Sequence, residues 1–353
     1  MPNEPGRTSP WEPETGGIRV SVGVPTHNGE AFLRGALEAL IGQDHENLEI
    51  LVSDNASTDA TPEIVREFIE RDGRIRLERS ETLITASQNF NRVFLGTSGA
   101  YFMWAADDDL RDPTYIRRCL EALEPETSAV MACTGLRFID PEGTVLDADY
   151  DRYDNPDLSS TSVVERVRLL LGRGGWYEIY GLIRRDALTR THLFQDRYAP
   201  DVLLVLELAL LGPVLKVADP LFFYRRFPVR TERDRVERQG GIPDTDSVLA
   251  TRLTHLHESL SATVRASGLA WPMKLRLRAE LFRAAYIGTA PLARNTRREL
   301  GDRVARARRE RDVAAYVKYR SLEVVDAIVG VAPAVRRSVS RARRWAGRQR
   351  RRL

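Results

Sequence analysis

Strand-like and helix-like segments alternate strictly from Ile18 to Ala105, and few folds accommodate that pattern. The run IRVSVGV (18–24) is β-branched and apolar without alternation, which suits a strand buried on both faces. In THNGEAFLRGALEALIGQ, residues Phe32, Leu33, Ala36, Leu37 and Leu40 recur at helical spacing. LEILVSD (48–54) reads as a second strand. The next helix spans ASTDATPEIVREFIERDG, with Ser57, Thr58 or Asp59 as its cap, Pro62 in its first turn and Gly73 at its end. RIRLER, TASQNFNRVFLGTSG and AYFMWA then supply a strand, a helix and a strand. Segments of these lengths predict parallel βαβ units, so the fold class is α/β, a mostly parallel sheet flanked by helices. In such sheets ligands bind beyond the carboxyl ends of the strands.

That rule selects three polar clusters: Pro25, Thr26, His27 and Asn28 after the first strand, Asp54, Asn55 and Ser57 after the second, and Asp107, Asp108 and Asp109 after the fourth. Each alone reads equally as turn or cap chemistry. All three at one rim point to a site. Adjacent carboxylates repel one another, and a hard divalent cation offsets that repulsion through oxygen ligands. No G-x-G-x-x-G follows the first strand, no phosphate-binding G-x-x-x-x-G-K-[ST] occurs, and no Cys/His spacing fits zinc. Oxygen donors at a sheet rim suit Mg²⁺ or Mn²⁺ clamping a diphosphate.

The same residues resemble the family 2 glycosyltransferases of the GT-A fold. The resemblance rests on Pro25, Thr26, Asn28, Gln43, Glu49, Asp54, Ser57, Asp59, Asn91, Gly99, Tyr101 and the aspartate cluster, and is dense over roughly the first 110 residues. It implies an inverting enzyme with a nucleoside-diphosphate-sugar donor and a saccharide or lipid-linked acceptor. It implies donor contacts from Pro25, Thr26, Asn28, Asp54 and Asn91, and a metal held by the aspartates. The family often has Asp-x-Asp-Asp here, and Ala106 stands at the first position. Asp109 is then the first choice for the ion. Asp107 and Asp108 share the ribose and ion contacts, with their division left open.

An inverting transfer also needs a base for the acceptor hydroxyl. The stretch YAPDVLLVLELALLGPVLKVADPLFFYRR matches the family's pattern, with Asp201 opening an apolar helix, Gly212 closing it, and Pro220, Leu221, Tyr224 and Arg225 following. Asp201 is the expected base, with a plain helix-capping role as the other reading. Pro200 stands where the family prefers Glu, and Glu207 is the weaker candidate base. Phe227 holds the place of a His found in some relatives, so no metal ligand is expected there. Arg225 and Arg226 are placed to reach a diphosphate, and Arg226 reads equally as a solvated strand residue. In GGWYEIYGLIRRDAL, Trp176 and Tyr180 are acceptor-side candidates as sugar-stacking platforms or, alternatively, core residues.

These readings divide the chain into a disordered segment at 1–16, a GT-A domain at 17–228 (donor half 17–110, acceptor half 111–228), a linker at 229–246 and a helical region at 247–353. Helices are expected near 246–267, 273–290, 297–319 and 321–346. Nine arginines and no acid lie between Ala334 and Leu353, so with a whole-chain charge of +3 the remainder carries 3 − 9 = −6. The apolar patch of Val324, Val325, Ile328, Val329 and Val331 before that arginine run fits a helix on an anionic membrane, or a packed helix with a solvated tail. Nucleic acid is not expected, because aromatic interleaving is lacking. Cys119 and Cys133 suit reduced, buried thiols, and the location expected is cytoplasmic, peripheral at the inner membrane face. Two rival functions are a sugar-phosphate nucleotidyltransferase, which needs a basic Gly-rich loop that PTHNGEAF lacks, and a non-catalytic nucleotide-binding scaffold at a membrane.

Overall fold

A computed structural model of the protein describes residues 17–146, 155–172, 176–197, 199–227, 249–282 and 309. The expected N-terminal segment, the linker and the basic tail lie outside these residues. The chain separates into two compact units, Met1–Thr245 and Asp246–Leu353, taken one at a time below.

The first unit alternates strand and helix in the expected order: β1 (Val20–Thr26), α1 (Leu33–Ile41), β2 (Leu48–Asp54), α2 (Thr61–Arg71), β3 (Ile75–Arg79), α3 (Ala86–Leu95) and β4 (Tyr101–Trp104). A two-residue strand β5 (Leu110–Arg111), α4 (Tyr115–Leu123) and β6 (Met131–Ile139) follow. Next come α5 (Val163–Gly172), a 3₁₀ turn at Tyr177–Tyr180, β7 (Leu182–Arg184), α6 (Arg185–Leu188), α7 (Pro200–Leu211) and β8 (Val214–Arg225). The eight strands form one sheet in the order β3-β2-β1-β4-β7-β6-β8-β5. The first four are parallel. β7 runs antiparallel to both β4 and β6, and β5 is antiparallel to β8. The expectation of a mostly parallel sheet thus holds for the donor half, and the acceptor half mixes directions.

Register places the site. Thr26 lies level with Asp54 in the β1–β2 pair. In the β1–β4 pair Trp104 lies level with Gly23, and the Ala105 N–H still donates to the Gly23 carbonyl. Three residues further along each chain, Asp107 comes abreast of Thr26. A row of polar groups therefore crosses the carboxyl rim.

The helices follow their apolar spacing. Leu33, Ala36, Leu37 and Leu40 form the buried face of α1, and Ile64, Val65 and Phe68 that of α2. α1 begins only at Leu33, so the residues from His27 to Phe32 stay at the rim as a loop. The cap expected for α2 among Ser57, Thr58 and Asp59 falls one residue on, at Ala60: Ser57 Oγ and Asp59 Oδ2 accept from the Asn28 and Glu30 N–H groups of the facing loop, while Asp59 Oδ1 accepts from the Thr61 N–H. α3 has a complete capping box between Thr85 and Gln88. α7 is apolar on all sides, and Val202 to Leu210 are buried throughout, as in a helix enclosed by its domain. Cys119 and Cys133 are buried free thiols, and burial pushes Cys119 up to about 12.

In the second unit α8 (Leu249–Ala266) and α9 (Trp271–Phe282) pack as a helical pair. Trp271-Pro272, expected to break a helix that starts at 273, instead forms the first turn of α9, where proline's missing N–H costs nothing. The helices expected at 297–319 and 321–346 lie outside the described residues, apart from Arg309. Among the described residues no helix is long and apolar enough to cross a membrane.

Candidate active site

The rim opens into a cleft of about 260 Å³ lined by residues of all three clusters, among them Thr26, Asn28, Asp107, Asp108 and Asp109. Its walls are held by hydrogen bonds between loops. The Asn28 N–H donates to Ser57 Oγ at 2.9 Å, and Asn28 Oδ1 accepts from the Thr58 N–H at 2.9 Å. Gly29 N–H donates to Thr61 Oγ1, Glu30 N–H to Asp59 Oδ2, and Ala60 N–H to Glu30 Oε2. His27 Nδ1 meets the Asn55 carbonyl at 2.7 Å. Asn28 and Ala56 occupy left-handed backbone, with φ of 51° and 54°; this is ordinary for Asn, and for Ala it costs roughly 1–2 kcal/mol. The lattice of bonds between the two loops offsets that strain.

Asp54 is buried beneath the second loop rather than at the cleft surface. Its Oδ1 accepts from the Ser57 N–H, and its Oδ2 lies 3.0 Å from Arg79 Nε. Asn91, expected beside the donor, is turned elsewhere: its amide donates to the Phe194 carbonyl and its Oδ1 accepts from the Phe194 N–H. Asn89, two residues earlier in α3, lines the cleft instead. Helical geometry explains the exchange, since residues two apart point to different sides of α3.

The aspartates differ in surroundings. Asp107 Oδ2 accepts from Thr26 Oγ1 at 2.5 Å. Gly29 leaves room for this pair, because a Cβ there would come within 2.5 Å of Thr26 Oγ1 and 2.7 Å of Asp107 Oδ2. Asp109 is 2% exposed; its Oδ1 accepts from the Arg225 N–H at 2.8 Å, while its Oδ2 is buried with no hydrogen-bond partner. Burial pushes the Asp109 carboxyl well above the usual carboxylate range, and the charges of Asp108 and Asp107 push the same way against the Arg225 N–H and the Arg111 guanidinium. Arg225 does not extend into the cleft. Its guanidinium donates to the carbonyls of Asp108, Asp140 and Pro141 and lies over the Phe32 ring, so it holds the aspartate loop from behind. Arg226 lies over Phe138, with 3.6 Å from its guanidinium carbon to the ring centroid.

These donors suit a divalent ion shared with a substrate. A buried carboxylate oxygen without a partner is costly unless something completes it. Among the described residues no three acidic, His or Cys side chains are arranged to hold an ion by themselves. Mg²⁺ commonly takes one or two carboxylates and completes its shell with phosphate oxygens and water, and Asp109 with its neighbours supplies that number.

Asp201 stands in the first turn of α7, after Ala199 at φ 52°. It is not the N-cap residue, which is Ala199. Burial raises its carboxyl above the usual range, against two backbone hydrogen bonds. Asp201 does not line the cleft; Tyr180 does. The Tyr180 phenol is pushed well above its ordinary range by burial and then by Tyr224, Asp109, Asp108 and Asp201. Its ring also packs on Phe222, centroids 5.5 Å apart. Trp176 has left-handed backbone, φ 60°, and lies off the cleft. Glu207, the weaker candidate base, is occupied: it accepts from the His192 N–H and meets His192 Nδ1 at 2.8 Å.

Phe32, Phe90 and Tyr224 also line the cleft. In the sequence Phe32 and Phe90 look like helix-core positions, and only their place in the first turns after the rim marks them otherwise.

A sheet whose parallel strands deliver polar loops and a row of carboxylates to one rim is the framework of a GT-A domain. Residues 21–167 match glycosyl transferase family 2. The glycosyltransferase GlyA of Streptococcus pneumoniae is 30% identical over 171 residues, 45% of this chain and 24% of GlyA. The chain therefore spans about a quarter of that relative's length. Among solved structures, residues 1–349 of Staphylococcus aureus TarS with UDP-GlcNAc superpose with a TM-score of 0.60 at 15% identity, covering 86% of this chain and 91% of that one. The mannosyltransferase PcManGT of Pyrobaculum calidifontis, in complex with GDP-Man and Mn²⁺, gives a TM-score of 0.52 at 17% identity, covering 93% and 91%. At these identities the structural likeness establishes the fold.

Proposed function

We propose that this chain is an inverting glycosyltransferase that moves a sugar from a nucleoside-diphosphate donor to a hydroxyl of a saccharide or lipid-linked acceptor. The observation that carries the reading is the pairing of two buried carboxylates of opposite use. Asp109 offers an unpartnered oxygen at the donor cleft, and Asp201 is a buried carboxyl in the first turn of α7, away from the residues that line that cleft.

Asp109, with Asp107 or Asp108, would hold Mg²⁺ or Mn²⁺, which when bound neutralises charge on the departing diphosphate. The linked loops at Thr26–Asn28 and Asp54–Ser57 cradle the nucleoside. Asp201 accepts the proton of the acceptor hydroxyl as its oxygen attacks the anomeric carbon; the bond from that carbon to the phosphate oxygen breaks, and its electron pair leaves with the diphosphate. Burial suits Asp201 to this work, because a raised carboxyl is a stronger base than an ordinary one. Tyr180 presents its ring where the acceptor enters. Such an enzyme would act in cell-surface or exopolysaccharide assembly, at the inner face of a membrane, a setting supported by the family and by the arginine-rich C-terminus.

Titration calorimetry with a panel of nucleotide sugars, with and without Mn²⁺, tests the reading. Metal-dependent binding of one donor, followed by release of its nucleoside diphosphate when acceptor is added, is expected. Release of pyrophosphate from a nucleoside triphosphate would instead mark a nucleotidyltransferase, and binding without turnover a scaffold.

A further inference from the structure

The α8–α9 pair has a packed side and an open side. Leu260 and Val264 of α8 and Leu277 and Leu281 of α9 are all buried. At 100° per residue, Trp271, Leu275 and Arg278 fall within one stripe of α9, about 110° round the helix from Leu277 and Leu281. Trp271 is 72% exposed and Leu275 50% exposed, and they are neighbours one turn apart. Arg276 and Arg278 beside them are exposed, as is Arg265 at the end of α8. From Arg265 to Ala279 the sequence has four basic residues and no acidic one.

A large indole and a leucine set open to water among cations call for a partner that is apolar inside and anionic at its surface. We propose that this stripe of α9 is a docking face for an anionic lipid bilayer, with Trp271 and Leu275 entering the headgroup boundary and Arg265, Arg276 and Arg278 resting on lipid phosphates. An exposed tryptophan and leucine can enter the headgroup boundary while neighbouring arginines keep their charges at the phosphates. Each cation near an anionic leaflet adds to the attraction. This contact is separate from the arginine run at the C-terminus and does not depend on it. It deepens the proposed function by bringing the enzyme to a surface where lipid-linked acceptors reside, yet it stands or falls independently of sugar transfer.

The test uses the full chain and sedimentation with vesicles. Binding to equimolar phosphatidylglycerol and phosphatidylcholine, and weak binding to phosphatidylcholine alone, is expected. The double substitution Trp271→Ala with Leu275→Ala should lower the partition coefficient about tenfold or more, and Arg276→Glu with Arg278→Glu should do the same only for the anionic vesicles. Both variants should keep the wild-type melting temperature and donor affinity, because the altered side chains are exposed. Vesicle binding equal to wild type in both variants overturns the proposal and assigns any binding to the tail. A variant that binds vesicles normally but loses a dimer in light scattering overturns it too, and makes the stripe a contact between copies of the chain. Lost vesicle binding with retained donor affinity separates this face from the donor site, and failure of donor binding with intact vesicle binding does the converse.

Discussion

The donor rim and the segment that carries Asp201 solve opposite problems. At the rim, Asn28, Ser57, Asp59 and Glu30 join two loops so fully that the polar groups of each satisfy the other. The Asp201 side is built from irregular backbone, with Trp176, Leu193 and Ala199 all at positive φ. Such residues cost roughly 1–2 kcal/mol each and persist only where their surroundings hold them. Here Asn91 grips Phe194 from both sides, Thr85 bonds Asp196 and Ser87 bonds the Gln195 carbonyl, while Phe194 packs between Phe90 and Trp104. A nucleotide needs a preformed cradle, whereas an acceptor must enter and leave. In the proposed reading the donor is held by loops whose polar groups satisfy one another, and the base follows a strained segment latched to α3.

The largest effect should come from the acidic rim. Asp109→Ala should abolish metal-dependent donor binding in calorimetry, and an unchanged affinity would remove the rim from the mechanism. The same carboxyl carries a stability cost. Its folded pKa is raised, so its contribution is fully favourable below the ordinary carboxylate value of about 3.9 and is lost as pH rises through the higher folded value. At neutral pH without metal, Asp109→Asn should therefore raise the melting temperature by about 2–4 °C.

On the other side of the comparison, Asp201→Asn should leave donor affinity intact and lower kcat by roughly 10² or more. The wild-type rate should climb with pH through the raised Asp201 value, so its acid limb should lie above that of an ordinary aspartate. Loss of donor affinity in this variant would break the division of labour. Gly29→Ala should weaken donor binding about tenfold by forcing Thr26 and Asp107 apart. It should leave the pH profile unchanged, because the Asp201 segment is untouched. Smallest, Asn91→Ala should release the latch at Phe194, costing about 1–3 kcal/mol of stability in melts. Its kcat should drop several-fold, and an equal rise in donor KM would show that the latch serves the cradle instead.

Much of this was legible in the residues. The alternation of β-branched runs with helical spacing located β1 to β4, because parallel strands buried on both faces leave an unmistakable apolar record. The rim clusters followed from the rule on strand ends. Less legible were roles that depend on which way a side chain turns. Asn91 and Arg225 carry the right chemistry for a donor site, yet α3 turns one toward Phe194, and the register of β8 sets the other behind the aspartate loop. Asn89, Phe32 and Tyr224 carry no mark of their own that separates cleft from core.

Composition and spacing alone determined the α/β architecture of the donor half, the rim at which its polar loops gather and the identity of its acidic row, since these depend on local periodicity and strand direction. Tertiary structure decided the mixed directions of the acceptor strands, the solitary burial of one Asp109 oxygen and the pairing of Thr26 with Asp107. Desolvation and contact between residues some twenty to ninety positions apart arise only when the chain closes on itself, so no window of sequence contains them.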